Sequence, residues 1–211
     1  QPQVAFWNLY CLGQAVAPLV GETEPVLEAL NNYKTALPQA LLAQWRKKLG
    51  LSTAATEDAE LAQAALDLLS TGAVDFSIFW RRLSHAVLSS HGQSSDAAAW
   101  APVRDLFLDT AAWADWQQRY TARLGAQDRA LTGAAMLRVN PKYVLRNHLG
   151  ETAIRMAQAG DYSEVDNLLA LLRHPFDEHP DSEHRAGFPP DWARFRKSSA
   201  FCRPFLPEIR K

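Results

Sequence analysis

Apolar residues recur along most of this chain at the spacing of an α-helix, and this period constrains the fold more than any other feature. Asp75 precedes one such stripe as a suitable N-cap. No alternating run rich in Val, Ile and Thr is present, and no Asn-Gly or Asp-Gly hairpin turn occurs. The sequence therefore predicts an all-α fold. The stripe after Asp75 consists of Phe76, Phe79, Trp80, Leu83 and Val87.

Other stripes bounded by caps, glycines or prolines predict the remaining helices. The stretch 103–124 fits either one long helix or two abutting helices. Prolines become frequent after Pro175, so we expect an extended tail there, strapped across the surface by its aromatic residues. We therefore predict a helical domain over 1–175 and an extended tail over 176–211. The other predicted helices cover 40–48, 56–71, 143–159 and 163–173.

Charge and cysteine content exclude several classes of protein. The formal net charge is -1, which indicates neither a nucleic-acid partner nor an anionic membrane surface. No apolar run approaches the ~20 residues that a membrane-spanning helix needs. Cys11 and Cys202 are the only cysteines, which does not suit a disulfide framework and favours a reducing compartment. One bridge between them stays open, because distance along the sequence does not limit distance in space.

The first residues are Gln-Pro-Gln, without Met and without the basic and apolar regions of a signal peptide. We therefore expect a fragment or a processed chain.

Residue types that bind metals are concentrated between His174 and His184. Three histidines alternate there with aspartates and glutamates, which are zinc ligands in many proteins. However, Pro175 and Pro180 stiffen the segment, and the spacing differs from the helical His-Glu-x-x-His motif. We favour a solvated acidic loop, and a zinc site is the alternative.

Seven tryptophans are many for a chain of 211 residues. Trp113, Trp116 and Tyr120 share one face of a predicted helix, which favours packing between helices. A stacking platform for a base or another ligand is the alternative.

Several common catalytic signatures are absent from the sequence. It contains no Gly-x-Gly-x-x-Gly, no Walker-type loop, no His-Arg-Asp kinase loop and no Gly-x-Ser-x-Gly elbow. Ser84 and His85 are adjacent, so a helix would point them to different faces. The sequence therefore predicts no self-contained catalytic site.

The most distinctive run is Asn140-Pro-Lys-Tyr-Val-Leu-Arg146-Asn147. Asn140 before Pro141 suits a turn or a helix N-cap, with proline as the first helical residue. Arg146 and Asn147 are then polar groups on a mostly apolar helix, where an Arg side chain can brace a neighbouring loop. We favour this structural role, and direct contact with a ligand is the alternative.

That run resembles a signature of the selenoprotein O family, also called the YdiU family. Other segments are similar to the family in order and spacing, so the resemblance covers nearly all of residues 1–193. These segments lie at 1–2, 6–9, 75–84, 160–165, 171–178 and 189–193.

The resemblance implies a protein-kinase-like fold that transfers AMP from ATP to hydroxyl side chains of proteins, with Mg or Mn. In the family, the residues that hold ATP and metal and the catalytic Asp all precede the segment that resembles 1–9. The chain would then be the helical remainder of the kinase-like C-lobe plus a C-terminal extension. Its implied partners are the N-terminal kinase-like region and protein substrates, in the bacterial cytoplasm or, in a eukaryote, the mitochondrion.

The end of the chain departs from the family pattern, because the family usually ends in a short Ser-Cys-Ser-Ser-like tail. Cys202 could replace the tail cysteine, and the resemblance suggests a redox-responsive tail in which Cys11 and Cys202 approach each other. The rival hypothesis is an autonomous helical module for protein interaction or redox regulation, without catalysis.

Overall fold

A computed structural model describes residues 2–90 and 97–194. Over these residues the secondary structure is helical and includes no strand, so the all-α prediction is confirmed. A 3-10 turn lies at Pro180–Ser182. The helices are α1 (Pro2–Val20), α2 (Glu24–Leu49), α3 (Asp58–Thr71), α4 (Phe76–Ser89), α5 (Ala97–Arg104), α6 (Thr110–Leu124), α7 (Arg129–Leu137), α8 (Asn147–Gln158), α9 (Ser163–Arg173), α10 (Glu183–Ala186) and α11 (Asp191–Arg194).

Aspartate side chains cap three of these helices. The Asp75 side chain accepts a hydrogen bond of 3.0 Å from the Ile78 amide, as the sequence predicts. Asp109 and Asp128 do the same at the first turns of α6 and α7. Each cap satisfies amides that have no partner within the helix and stabilises it by about 1 kcal/mol.

The sequence-based boundaries are wrong at the start of α8. The sequence predicts a helix from residue 143, with Asn140 as a turn residue or an N-cap, but α8 begins at Asn147. The amides of Lys142 and Tyr143 donate instead to the carbonyl of Pro175, at 2.8 and 3.1 Å. This long-range pairing keeps the backbone before α8 out of the helical conformation.

Other boundaries differ as well. The stretch 103–124 forms neither one long helix nor two abutting helices, because α5 ends at Arg104, α6 begins at Thr110 and residues 105–109 between them are not helical. Pro102 lies inside α5. α2 extends far beyond the predicted 40–48 and contains Pro38. After Pro175, short helical turns appear within 180–194, where an extended chain was expected.

The core lies around α4 and is built largely from aromatic rings. Phe79 packs against Phe107, Trp113 and Trp116, with ring centroids between 5.9 and 6.3 Å apart. Trp116 stacks on Tyr120 at 4.9 Å. These residues are buried, so the prediction that Trp113, Trp116 and Tyr120 pack in the core is confirmed.

Close backbone packing joins α4 to α7. A Cβ atom added to Gly133 would lie 2.5 Å from the Leu88 backbone, nearer than any side chain tolerates. The absence of a side chain at Gly133 therefore sets the distance between the two helices.

Two smaller parts flank this core. α8 and α9 pack through a separate apolar cluster of Leu149, Ala153 and Leu168. At the other end, α1 and the first half of α2 form a helical hairpin. Over the residues that the structure describes, no helix is both long and apolar enough to cross a membrane.

Candidate functional site

The candidate site lies around the connecting segment, residues 138–146, between α7 and α8. Asn140 is completely buried there. Its amide nitrogen donates to the Lys48 carbonyl and to the Ser84 hydroxyl, both at 3.0 Å. Its amide oxygen accepts from the Lys48 ammonium group at 2.8 Å. Asn140 therefore joins α2 and α4 to the connecting segment. Of the two alternatives that the sequence left open for Asn140, a turn or a helix N-cap, the N-cap is wrong.

Lys48 completes this contact from the α2 side. Its ammonium group lies 5.6 Å from the Phe76 ring centroid and 5.4 Å from that of Trp80. Burial lowers the pKa of Lys48. The Asn140 oxygen and the two ring faces compensate in part for the water that this charge has lost.

Arg81 is a second buried polar group beside Asn140. One terminal nitrogen donates to the carbonyls of Leu137 and Asn140, at 3.0 and 3.1 Å. The other donates to the Phe176 carbonyl at 3.1 Å and to the Glu178 carboxylate at 2.6 Å. Arg81 therefore ties α4 to the connecting segment and to the chain after Pro175.

Lys142 extends this ionic network outward, where it contacts both Glu178 and Glu183. Partial burial opposes the ionised form of Glu178, but hydrogen bonds from Lys142 and Arg81 lower its pKa to about 2. Desolvation acts to lower the pKa of Lys142, but the two glutamates raise it. Both groups therefore stay charged at neutral pH.

Arg146 lies at the end of the connecting segment and forms an ion pair with Asp75. Its two terminal nitrogens each contact one carboxylate oxygen, one of them at 3.0 Å. Partial burial acts to raise the pKa of Asp75, but the hydrogen bonds from Arg146 and Ile78 lower it overall. Arg146 thus holds the residue that caps α4, a contact of the kind expected for a bracing arginine.

Asn147 and the cysteines are not part of this network. Asn147 is exposed at the first position of α8. Cys11 is exposed on α1, and Cys202 lies outside the described residues. The pairing of Cys11 with Cys202 therefore stays a prediction.

The histidine-rich segment, residues 174–184, makes contacts with other parts of the chain. Over 2–90 and 97–194, no three His, Cys, Asp or Glu side chains are placed to hold a metal ion together. The Tyr143 hydroxyl donates to the His179 carbonyl at 3.1 Å, and Glu178 pairs with Arg81 and Lys142. The segment thus binds the connecting segment through its backbone and its carboxylates.

Sequence reasoning also missed the buried charge of Asp58. Its fully buried carboxylate accepts hydrogen bonds from Arg123 at 2.7 Å and from Ala55 at 2.9 Å, and it also pairs with Arg46. Burial acts to raise the pKa of Asp58, but these donors lower it. An acidic residue in a first helical turn is common, so nothing in the sequence signals this contact.

These contacts describe an all-α domain whose buried charged and amide groups hold helices to one another. The side chains of Asn140, Arg81 and Asp58 are directed at other parts of the same chain. Such an arrangement fixes the helices relative to one another.

The chain belongs to a family of protein adenylyltransferases: the family model described as protein adenylyltransferase SelO matches residues 1–173. The resemblance noted in the sequence is therefore confirmed.

Three relatives from bacteria are each called protein nucleotidyltransferase YdiU. The protein of Variovorax paradoxus is 47% identical over 193 residues, which cover 92% of this chain and 37% of that protein. That of Albidiferax ferrireducens is 48% identical over 197 residues, covering 92% and 38%. That of Cupriavidus pinatubonensis is 46% identical over 209 residues, covering 92% and 39%. This chain thus spans about two fifths of the length of these curated relatives.

Proposed function

We propose that this chain is the C-terminal helical portion of a protein adenylyltransferase. The whole protein would transfer AMP from ATP to Ser, Thr or Tyr hydroxyls of other proteins. This chain would be a scaffold that supports the catalytic region without contributing catalytic residues. The family match, the names of the relatives and the share of their length that the chain spans all support this division.

One observation carries the scaffold role: the candidate residues bind the protein itself. Nucleotide transfer requires donors that cradle phosphates, a metal held by Asp or Asn, and an oriented nucleophile. Asn140 directs its side chain at Lys48 and Ser84, and Arg146 directs its guanidinium group at Asp75. These groups stabilise the packing of helices, and we assign them the role of indirect support.

The proposal implies cofactors and partners for the longer protein. ATP with Mg or Mn would bind the N-terminal kinase-like region, which would be this chain's main partner. Protein substrates would bind the assembled enzyme, in the bacterial cytoplasm that the bacterial relatives suggest. We expect no nucleic-acid and no membrane partner.

Two parallel assays test whether ATP binding and AMP transfer require the region outside this chain. ATP with MgCl2 or MnCl2 is titrated calorimetrically into this chain and into the full-length gene product that contains it. AMP transfer from labelled ATP to a protein acceptor is measured for both. We expect binding and transfer only with the full-length product, because groups that act together lose their rate when separated. Micromolar binding or self-labelling by this chain alone would contradict the proposal.

The second candidate is an autonomous helical module for protein interaction or redox regulation. The exposed thiol of Cys11 and the apolar surface around it favour this alternative. The gene discriminates between the two: an open reading frame that starts near Gln1 supports the module, and a kinase-like region encoded directly before Gln1 supports the enzyme. Non-reducing mass spectrometry tests whether Cys11 and Cys202 pair.

A further inference from the structure

α1 has no charged residue over its whole length, although most of its side chains are exposed. Leu12 is 58% exposed and Leu19 is 86% exposed, and both lie with Val16 on one side of the helix. A helix whose outer face meets water normally carries charged side chains there. The apolar face of α1 is therefore a surface that a partner is expected to cover.

This face continues into a groove between α1 and α2. The groove encloses about 360 Å³, and no charged residue lines it. The two helices approach closely, since a Cβ atom added to Gly13 would lie 2.8 Å from a Val26 methyl carbon. Its apolar lining includes Leu9, Leu12, Val16, Val26 and Leu30.

The hairpin of α1 and residues 24–33 of α2 contributes little to the core of the chain. Leu30 is its one buried apolar residue among 3–33, and α1 packs mainly on α2. Two isolated helices rarely bury enough apolar surface to offset the entropy of ordering them. A partner that covered the groove would supply the missing burial.

We propose that this hairpin is the docking surface for the N-terminal region of the same longer protein, and that an apolar helical face fills its groove. The inference rests on the proposed function, because it assigns that region as the occupant. About three fifths of the length of the curated relatives has no counterpart in this chain, which is enough for a domain that can cover the hairpin. A lipid surface fits less well, because interfacial helices carry Lys or Arg on the polar face and α1 has none.

Hydrogen exchange measured by mass spectrometry tests the proposal in two settings. Exchange of the amides in 9–20 and 24–33 is compared between this chain alone and the full-length gene product. We expect exchange to be at least tenfold slower in the full-length product. Equal exchange in both settings would overturn the docking proposal.

A pair of matched variants localises the effect in the full-length product. Val16→Glu adds one negative charge inside the groove, and Gln14→Glu adds the same charge on the other side of α1. We expect Val16→Glu to raise exchange in 9–20 at least tenfold and Gln14→Glu to change it less than twofold. Similar effects of the two variants would contradict a specific docking face.

Two further outcomes would identify a different occupant and overturn the proposal. One is a dimer of this chain in sedimentation velocity that Val16→Glu dissociates. The other is co-sedimentation of this chain with phosphatidylcholine–phosphatidylglycerol vesicles that the same variant abolishes. AMP transfer by the full-length product is recorded separately. Slow exchange without transfer would refute the proposed function alone, and transfer without slow exchange would refute the docking surface alone.

Discussion

The aromatic core around α4 and the hairpin at the start of the chain are both helical, but they meet water differently. In the core, Phe79 and Tyr120 are completely buried, and charges such as Asp58 are enclosed by guanidinium groups. In the hairpin, Leu12 and Leu19 remain exposed, and α1 carries no charge at all. The core encloses its apolar side chains within the chain, whereas the hairpin leaves large apolar side chains exposed.

This difference separates what stabilises the chain from what the chain offers to a partner. Contacts between segments that are distant in the sequence, such as Asn140 with Lys48, act within the chain and should control its unfolding. The groove lined by Leu12 and Val16 should control assembly and affect unfolding little. Substitutions in the two regions should therefore differ sharply in how much they lower the free energy of unfolding.

The largest loss of stability is expected from a substitution of Asp58, which is buried beside the core. Asp58→Ala removes a fully buried carboxylate and leaves Arg46 and Arg123 without their shared partner. We expect the free energy of unfolding to fall by about 3–5 kcal/mol, the cost typical of breaking a buried ion pair. Urea denaturation followed by circular dichroism measures this loss.

Glu60→Ala is the matched control on the same helix. Glu60 pairs with Arg119, but its side chain is 77% exposed, so its loss should cost less than about 1 kcal/mol. Equal effects at Asp58 and Glu60 would show that water already reaches the Asp58 site.

A smaller effect is expected at Arg146, at the edge of the core. Arg146→Ala removes both hydrogen bonds to the half-buried Asp75 and weakens the start of α4. We expect a loss of about 1–3 kcal/mol, because the carboxylate keeps only its amide partners. In the full-length product, the same variant should lower AMP transfer by loosening this region. Denaturation and the transfer assay are the measurements.

Two further substitutions serve as controls for Arg146→Ala. Arg146→Lys keeps the charge but cannot reach both carboxylate oxygens in a fork, so we expect an intermediate loss. Arg155→Ala removes an exposed pair with Glu151 inside α8 and a contact with the exposed Trp192 ring, and it should cost less than about 1 kcal/mol. A loss at Arg155 as large as that at Arg146 would contradict the bracing role.

Local patterns predicted part of this fold because their causes are local. The stripe in α4 and its Asp75 cap depend on residues within one or two turns, and both are confirmed. The predicted start of α8 was wrong because Asn140-Pro141 suits either a turn or a helix start. Pairing of Lys142 with Pro175, 33 positions later in the sequence, decided between them.

The polar contacts of the candidate site were less predictable for the same reason. Arg81 and Glu178 are separated by 97 positions, and Asn140 and Lys48 by 92. Single residues of this kind leave no periodic signal, so the sequence could mark Asn140 and Arg146 only as distinctive. It could not identify Arg81, which follows Trp80 in an ordinary apolar stripe.

The folding stability of the chain should depend on pH through Glu178, which contacts Arg81 of α4. The pKa of Glu178 falls from its ordinary 4.5 to about 2 in the folded chain, so its ionised form stabilises folding. This contribution should be complete above about pH 4.5 and lost as the pH falls towards 2. Glu178→Gln should therefore be less stable than the parent chain at pH 6, and the difference should vanish near pH 2.

Urea denaturation of both chains across this range measures the difference. The Glu178 side chain is 54% exposed, so solvent screening keeps the effect modest. A difference that is constant from pH 2 to 6 would contradict the ionic role of Glu178.

The smallest loss of stability is expected in the hairpin, where one substitution tests the contrast between the hairpin and the core. Leu12→Ala removes a side chain that is already 58% exposed, so the chain alone should lose less than about 1 kcal/mol. The same change at Leu83, which is completely buried in the core, should cost about 2–5 kcal/mol because it leaves a cavity. Denaturation of the two variants under identical conditions gives both numbers. A loss at Leu12 as large as that at Leu83 would mean that the groove is already covered within the chain, and the contrast between the two regions would be wrong.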